Sequence, residues 1–225
     1  PAATVPAIIE QCGLHQVKAA IIISAGFAET GEAGRALEAE VLALAKQYGV
    51  RLIGPNCLGV MRPDIGLNAT FNSGSAMAGN IAFVSQSGAL CTAILDWASA
   101  NDVGFSSVVS MGASADVDFG EILDYLISDS LTHSILLYIE GIHDARSFMS
   151  SIRAAARIKP VILVKVGRHA AASKAAISHT ASIVGADDAF DAAIRRAGVV
   201  RVQTISQLFA AAKALSCGFD PTGNR

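Results

Sequence analysis

The sequence is short of charge, of aromatic rings and of long apolar runs. Only 16% of its 225 residues are charged, 6% are aromatic and one is tryptophan. No basic stripe interleaved with aromatics is present, so nucleic acid is not expected as a partner. The formal net charge is close to zero, at −2. No uninterrupted apolar run approaches the roughly 18 residues of a membrane-spanning helix, and no membrane association is expected. The first residues lack the pattern of a signal peptide. The four cysteines, Cys12, Cys57, Cys91 and Cys217, form no C-x-x-C pair. A zinc site is therefore not expected, and reduced thiols in a cytoplasmic protein are. The G-x-G-x-x-G fingerprint of dinucleotide binding is absent too.

What is abundant is short aliphatic runs and alanine, within a hydrophobic content of 52%. Runs such as "AAIIISA" and "SILLYIEG" read as strands buried on both faces, as a helix-covered parallel sheet requires. Strands and helices alternate almost throughout. Strands are expected at 19–24, 50–54, 80–84, 105–110, 134–139, 160–166 and 199–202. Helices are expected at 33–48, 88–100, 119–128, 144–157, 187–197 and 204–216. On the first of these, Arg35, Glu38, Glu40 and Lys46 are placed outward. Residues about 62–79, rich in Gly, Asn, Ser and Ala, show little periodicity and read as a linker. The last five strands, joined by right-handed helical crossovers, make one doubly wound α/β domain of flavodoxin-like size.

The first 62 residues hold two clear strands, too few for a complete parallel nucleotide-binding sheet. The opening "PAATVPAIIEQCG" reads as the loop and helix that follow a strand, and "CGFDPTGNR" as a turn-rich tail. The chain is expected to be a piece of a longer polypeptide.

Four stretches could carry chemistry. In "FVSQSGALCTAILDWA" (83–98) a buried strand runs through Ser85-Gln86-Ser87-Gly88 straight into a helix. Unpaired helical N–H groups, the positive end of the helix dipole and a Ser hydroxyl suit a phosphate. An ordinary helix cap would look the same. In "LYIEGIHDA" (137–145) Glu140 follows buried aliphatics at the carboxyl end of a strand, where open α/β sheets bind ligands. It either caps or orients, and orienting a histidine is the chemically useful case. In "RLIGPNCLGVMRP" (51–63) Gly54-Pro55-Asn56 ends a strand in a tight turn. In "AAISHTASIVG" (175–185) small neighbours leave the ring of His179 unobstructed, which separates it from His15, His133, His143 and His169. A nucleophilic nitrogen, a phosphate cradle and an orienting carboxylate on one sheet edge describe phosphoryl transfer through a phosphohistidine.

These stretches resemble a known family. "IGPNCLGV" (53–60), "VSQSGAL" (84–90), "YIEG" (138–141) and "SHTASIVG" (178–185) occur in the order and at the spacings of the NDP-forming acyl-CoA synthetases, which include the succinyl-CoA synthetase α subunit. The resemblance implies the C-terminal half of a Rossmann-like CoA-binding domain at 1–62 and a linker at 63–78. A flavodoxin-like phosphohistidine domain then spans 79–216, and 217–225 lead towards a further domain. It implies His179 as the phosphorylated residue and Glu140 as the carboxylate that steadies it. Ser87 and Gly88 match the helix start that holds the transferred phosphate. Pro55, Asn56 and Cys57 match the turn lining the CoA thiol end. The family pattern usually has Gly in the histidine loop where this chain has Ala181, which restricts positive φ and would stiffen the loop if it must swing to deliver phosphate to a distant ADP.

The activity implied is the interconversion of acyl-CoA, ADP and phosphate with free acid, CoA and ATP. CoA, ADP/ATP and Mg²⁺ are the implied cofactors, with nucleotide and metal held by an ATP-grasp domain or subunit outside this chain. A homo- or hetero-oligomer is expected, and no turnover by the 225 residues alone. An alternative is a CoA-sensing regulatory region of a chain fused to a GNAT-type protein-lysine acetyltransferase. A plain CoA-sensing scaffold is a third.

Overall fold

The computed structural model describes residues 1–166 and 187–217. His179, His169, Ala181 and the "PTGNR" tail lie outside the described residues.

The N-terminal segment pairs two short strands, β1 (Ala19–Ile21) and β2 (Arg51–Ile53), in parallel. Helices α1 (Val5–Leu14) and α2 (Glu32–Tyr48) accompany them. Val5, Ile9, Ile22, Phe27, Val41, Ala45, Val50 and Leu52 form their common core. The α2 helix ends where Gly49 adopts φ +68° and its N–H caps back to Ala45, a left-handed stop that glycine favours. Glu38, expected to face outward, is instead half-buried. Its Oε2 has no hydrogen-bond partner among the described residues.

The remainder is one seven-stranded sheet that begins with β3 (Gly59–Arg62) and β4 (Leu67–Thr70) and runs in the order β4-β3-β6-β5-β7-β8-β9. Five strands are parallel: β5 (Ala78–Ser85), β6 (Phe105–Ser110), β7 (Ser134–Ile139), β8 (Val161–Lys165) and β9 (Val200–Val202). Every residue of β6 and β7 is buried, as the continuous apolar runs demanded. Side chains alternate between two layers. Ala82, Val84, Ile135, Leu137 and Ile139 meet α4 (Phe119–Ser128), α5 (Ala145–Ala156) and α6 (Asp187–Arg196). Ile81, Phe83, Leu136 and Tyr138 meet α3 (Gly88–Ala100) and α7 (Ile205–Ser216) on the opposite face. Each fully buried Ile, Leu or Phe contributes roughly 1.5–3 kcal/mol. The result is the doubly wound α/β arrangement.

The stretch read as a linker, 63–78, is a correction. A 3-10 turn at Pro63–Ile65 leads into β4 (Leu67–Thr70), which pairs antiparallel with β3 (Gly59–Arg62). β3 in turn pairs antiparallel with β6, so this hairpin extends the sheet. Its strands are too short to show a period, and its tether is polar. Arg62 bonds Asp64 and Asp129, each at 2.8 Å, and also the Tyr125 hydroxyl.

The two parts are stitched together along the turn after β2. The Leu52 N–H donates to Asp116 Oδ2 at 2.7 Å, and the Val117 N–H to Leu52 O at 3.2 Å. The Ala115 and Ala113 N–H groups donate to the carbonyls of Gly54 and Pro55. Gly112 lets this approach happen. It sits at φ +56°, and a Cβ there would run into the Pro55 and Asn56 carbonyls. The turn is thereby held against the carboxyl ends of β5 and β6.

Candidate active site

A cleft of about 370 Å³ opens at this junction. Its wall holds Asn56, Cys57, Ser87, Gly88 and Glu140 together, five of the residues picked out from the sequence. Pro55 is buried behind the wall, where its carbonyl accepts from Ala113. His179 lies outside the described residues.

The sheet order explains the position. β5 is central, β6 lies on one side of it and β7 on the other. The chain thus diverges at the β5–β7 boundary, and in such sheets ligands bind outside the carboxyl ends of the strands at that point. β5 delivers Ser85, Gln86 and Ser87 to this edge, and β7 delivers Glu140.

Ser87 is the N-cap of α3, its Oγ accepting from the Leu90 N–H at 3.3 Å. Its own N–H is taken by Ser85 Oγ at 3.0 Å. The first α-helical hydrogen bond runs from the Cys91 N–H to Ser87 O. The N–H groups of Gly88 and Ala89 precede it and have no intrahelical acceptor, at the positive end of the helix. Gly88 is not among the positive-φ glycines, so its backbone does not demand glycine. A Cβ on it would meet Leu58 at 3.6 Å and Ser110 Oγ at 3.8 Å, which is ordinary contact.

Glu140 is half-buried, and its charge, after burial itself, helps push the Tyr138 phenol up to about 12. Cys57 is 3% exposed and lies close to the Ile22 carbonyl, with Sγ 3.3 Å away. Burial pushes its thiol up to about 11, which disfavours the thiolate, the reactive form, at ordinary pH. Cys57 thus lines the cleft as a buried side chain whose neutral thiol is favoured over the thiolate. No described residue gathers with others into a group of three or more His, Cys, Asp or Glu that could hold a metal ion.

Sequence reasoning missed several wall residues. Glu29 is one. Its carboxylate accepts from the Gly26 N–H at 2.6 Å and the Phe27 N–H at 3.2 Å, a turn closed by its own side chain. "SAGFAETG" carried the glycine signal for such a turn. Phe71 reaches the cleft from the stretch taken as linker. Gln86 is the third, and only its three-dimensional partners reveal it. A larger depression of about 590 Å³ under the hairpin is walled by Val60, Leu67, Val109 and Leu126, among others. None of the seven residues given a role from the sequence is among its described lining. No described helix is long and apolar enough to cross a membrane.

The chain is similar to known proteins in both sequence and fold. A family model described as the succinyl-CoA ligase like flavodoxin domain matches residues 78–215, and one described as a CoA binding domain matches residues 1–63. The chain is 46% identical over 209 residues to acetate–CoA ligase [ADP-forming] I of Archaeoglobus fulgidus, covering 93% of this chain and 30% of that protein. It is 42% identical over 224 residues to the α subunit of acetate–CoA ligase [ADP-forming] I of Pyrococcus furiosus, covering 100% of this chain and 48% of that subunit. The chain thus spans less than half the length of either relative. A solved structure of the dinucleotide-forming acetyl-coenzyme A synthetase 1 of Ca. Korarchaeum cryptofilum, in complex with phosphate and ADP, superposes with a TM-score of 0.93 at 37% identity. That match covers 99% of this chain and 48% of the other. Through its flavodoxin-like domain and the CoA-binding segment before it, the chain belongs to the family of NDP-forming acyl-CoA synthetases.

Proposed function

We propose that this chain is the CoA- and phosphate-handling part of an ADP-forming acyl-CoA synthetase. The observation that carries the reading is the convergence, in one cleft, of the α3 N-terminus, Glu140 and the turn at Asn56–Cys57. Relatives described as ADP-forming acetate–CoA ligases support acyl-CoA, phosphate and ADP as substrates.

In this reading the Asn56–Cys57 turn receives the thioester end of the acyl-CoA. Phosphate binds at the start of α3, where the Gly88 and Ala89 N–H groups and the Ser87 hydroxyl donate to its oxygens. Phosphate oxygen attacks the thioester carbonyl and CoA leaves as the thiol, giving an acyl phosphate. A ring nitrogen of His179 then displaces the free acid from phosphorus, and the phosphoryl group passes on to ADP. Histidine suits this relay because the N–P bond is labile, whereas a seryl phosphate would be a trap. Glu140 holds the ring by accepting its other N–H, which raises the nucleophilicity of the attacking nitrogen. Helix-end N–H groups fixed before substrate arrives stabilise the charge on phosphorus without reorganising.

The nucleotide and its Mg²⁺ belong, in this reading, to an ATP-grasp domain or partner subunit, within a homo- or hetero-oligomer. The reading carries a cytoplasmic location with it, where acyl-CoA and nucleotide pools lie. The test is phosphoryl labelling of the full-length protein with ATP and Mg²⁺. An acid-labile, base-stable label on His179 is expected, lost together with turnover in His179→Asn. Acid-labile label persisting in that variant would place the relay on another residue.

A further inference from the structure

Gln86 joins the two halves of the cleft. Its Oε1 accepts from the Glu140 N–H at 2.7 Å and from the Gly141 N–H at 3.0 Å. Its own N–H donates to the Tyr138 carbonyl at 3.3 Å. One residue on the β5–α3 turn therefore fixes the backbone that carries Glu140 to the backbone that starts α3. Gln86 is only 5% exposed. The two N–H donors settle which end of the carboxamide is which, and they leave Nε2 buried at the other end. Nε2 has no hydrogen-bond partner among the described residues.

That unpaired donor is informative. Burying a polar group without a partner is unfavourable. A glutamate at 86 would accept the same two N–H bonds, more strongly, and would bring no unpaired donor. It would also put a carboxylate into a cleft that already holds Glu29 and Glu140. The neutral acceptor is the one that keeps a 370 Å³ space with two carboxylates able to take an anion. A methionine or leucine would be neutral as well, but would leave the Glu140 and Gly141 N–H groups without their acceptor.

We propose that Gln86 is a positioning residue of the reaction: its carboxamide oxygen locks the Glu140 peptide against the start of α3, and its neutrality preserves the anion affinity of the cleft. This rests on the phosphate-relay reading above, and it predicts two different failures for two substitutions of nearly equal size.

Gln86→Glu keeps the acceptor and adds charge. The KM for phosphate should rise about ten-fold or more, while kcat at saturating phosphate changes by less than about three-fold. Gln86→Met keeps neutrality and removes the acceptor. Here kcat and the histidine label should fall about ten-fold or more, with the phosphate KM within about three-fold. A residue needed only for folding would move both parameters together in both variants and lower the melting midpoint. The measurements are steady-state kinetics in the acyl-CoA-consuming direction and phosphoryl labelling, on the full-length protein. A wild-type phosphate KM in Gln86→Glu, or wild-type kcat and label in Gln86→Met, overturns the assignment and leaves the relay standing. No label on the wild-type protein overturns the relay and this assignment with it.

Discussion

Ser110 Oγ accepts a hydrogen bond from the Leu58 N–H at 2.9 Å, and both groups are buried. This bond fastens the Asn56–Cys57 turn to the end of β6, beside the start of α3. Ser110→Ala removes the acceptor and leaves a buried N–H unpaired, which should cost about 1–3 kcal/mol of stability. Urea unfolding of the two proteins measures it. A midpoint and slope equal to the unsubstituted chain would mean that the turn finds another acceptor.

Gly88→Ala separates stability from ligand access. The added methyl meets only ordinary contacts, with Leu58 and Ser110. Alanine is the better helix former by up to about 1 kcal/mol. The melting midpoint should hold or rise slightly, while phosphate binds more weakly because the methyl stands beside the N–H groups at the helix start. Thermal melts and the phosphate KM of the full-length protein test this. A large drop in melting midpoint, or an unchanged KM, contradicts it.

Glu38 supplies a pH dependence with a definite sign. Burial, reinforced by the charge of Glu29, raises its carboxyl above the ordinary 4.5, against the opposing pull of the Ala28 backbone and His143. The folded state therefore holds the proton more tightly than the unfolded chain. Between the ordinary value and the raised one, the unfolded state binds fewer protons, so stability falls as pH rises. Above the raised value the penalty is complete. Glu38→Gln should raise the melting midpoint relative to the unsubstituted chain at about pH 7.5, and the gain should shrink towards about pH 4. A difference that stays constant across that range would remove Glu38 as the cause.

Cysteine reactivity should be ordered by burial. Cys217 is exposed, whereas Cys57 is buried with its thiol pushed up to about 11 and Cys91 with its thiol pushed up to about 12, both chiefly by burial. Iodoacetamide at about pH 8 should modify Cys217 well before either of them, because the thiolate is the reacting form. Peptide mapping by mass spectrometry reads the order. Modification of Cys57 as fast as Cys217 in the native protein would show that the turn opens readily.

Much of this arrangement could be read from the sequence. The apolar runs of β5 to β8 are long enough to be unambiguous, and the helices between them show clear apolar faces. Family membership was legible from four short stretches, because turns and helix starts are local and depend on fixed residue types. Ser87 as the cap of α3 is such a case. Glu140 at the end of β7 is another, since a carboxylate directly after six buried residues is visible in one dimension.

The rest was decided by tertiary contacts. The hairpin of β3 and β4 has strands of four residues each, too short for alternation to register. It exists because β6 offers an edge and Asp129 receives Arg62. Glu38 sits on a polar-looking helix face, yet the fold half-buries it. Gln86 resembles any turn residue until β7 is laid beside β5, when its oxygen meets two N–H groups 54 and 55 residues away. The sequence by itself determined the strands and helices of the parallel core and which local turns could bind an anion, because hydrophobic period and capping act over a few residues. Only the tertiary structure determined that the α3 start, Glu140 and the Asn56–Cys57 turn share one cleft, because that depends on strand order, and strand order is set by packing between residues far apart in the chain.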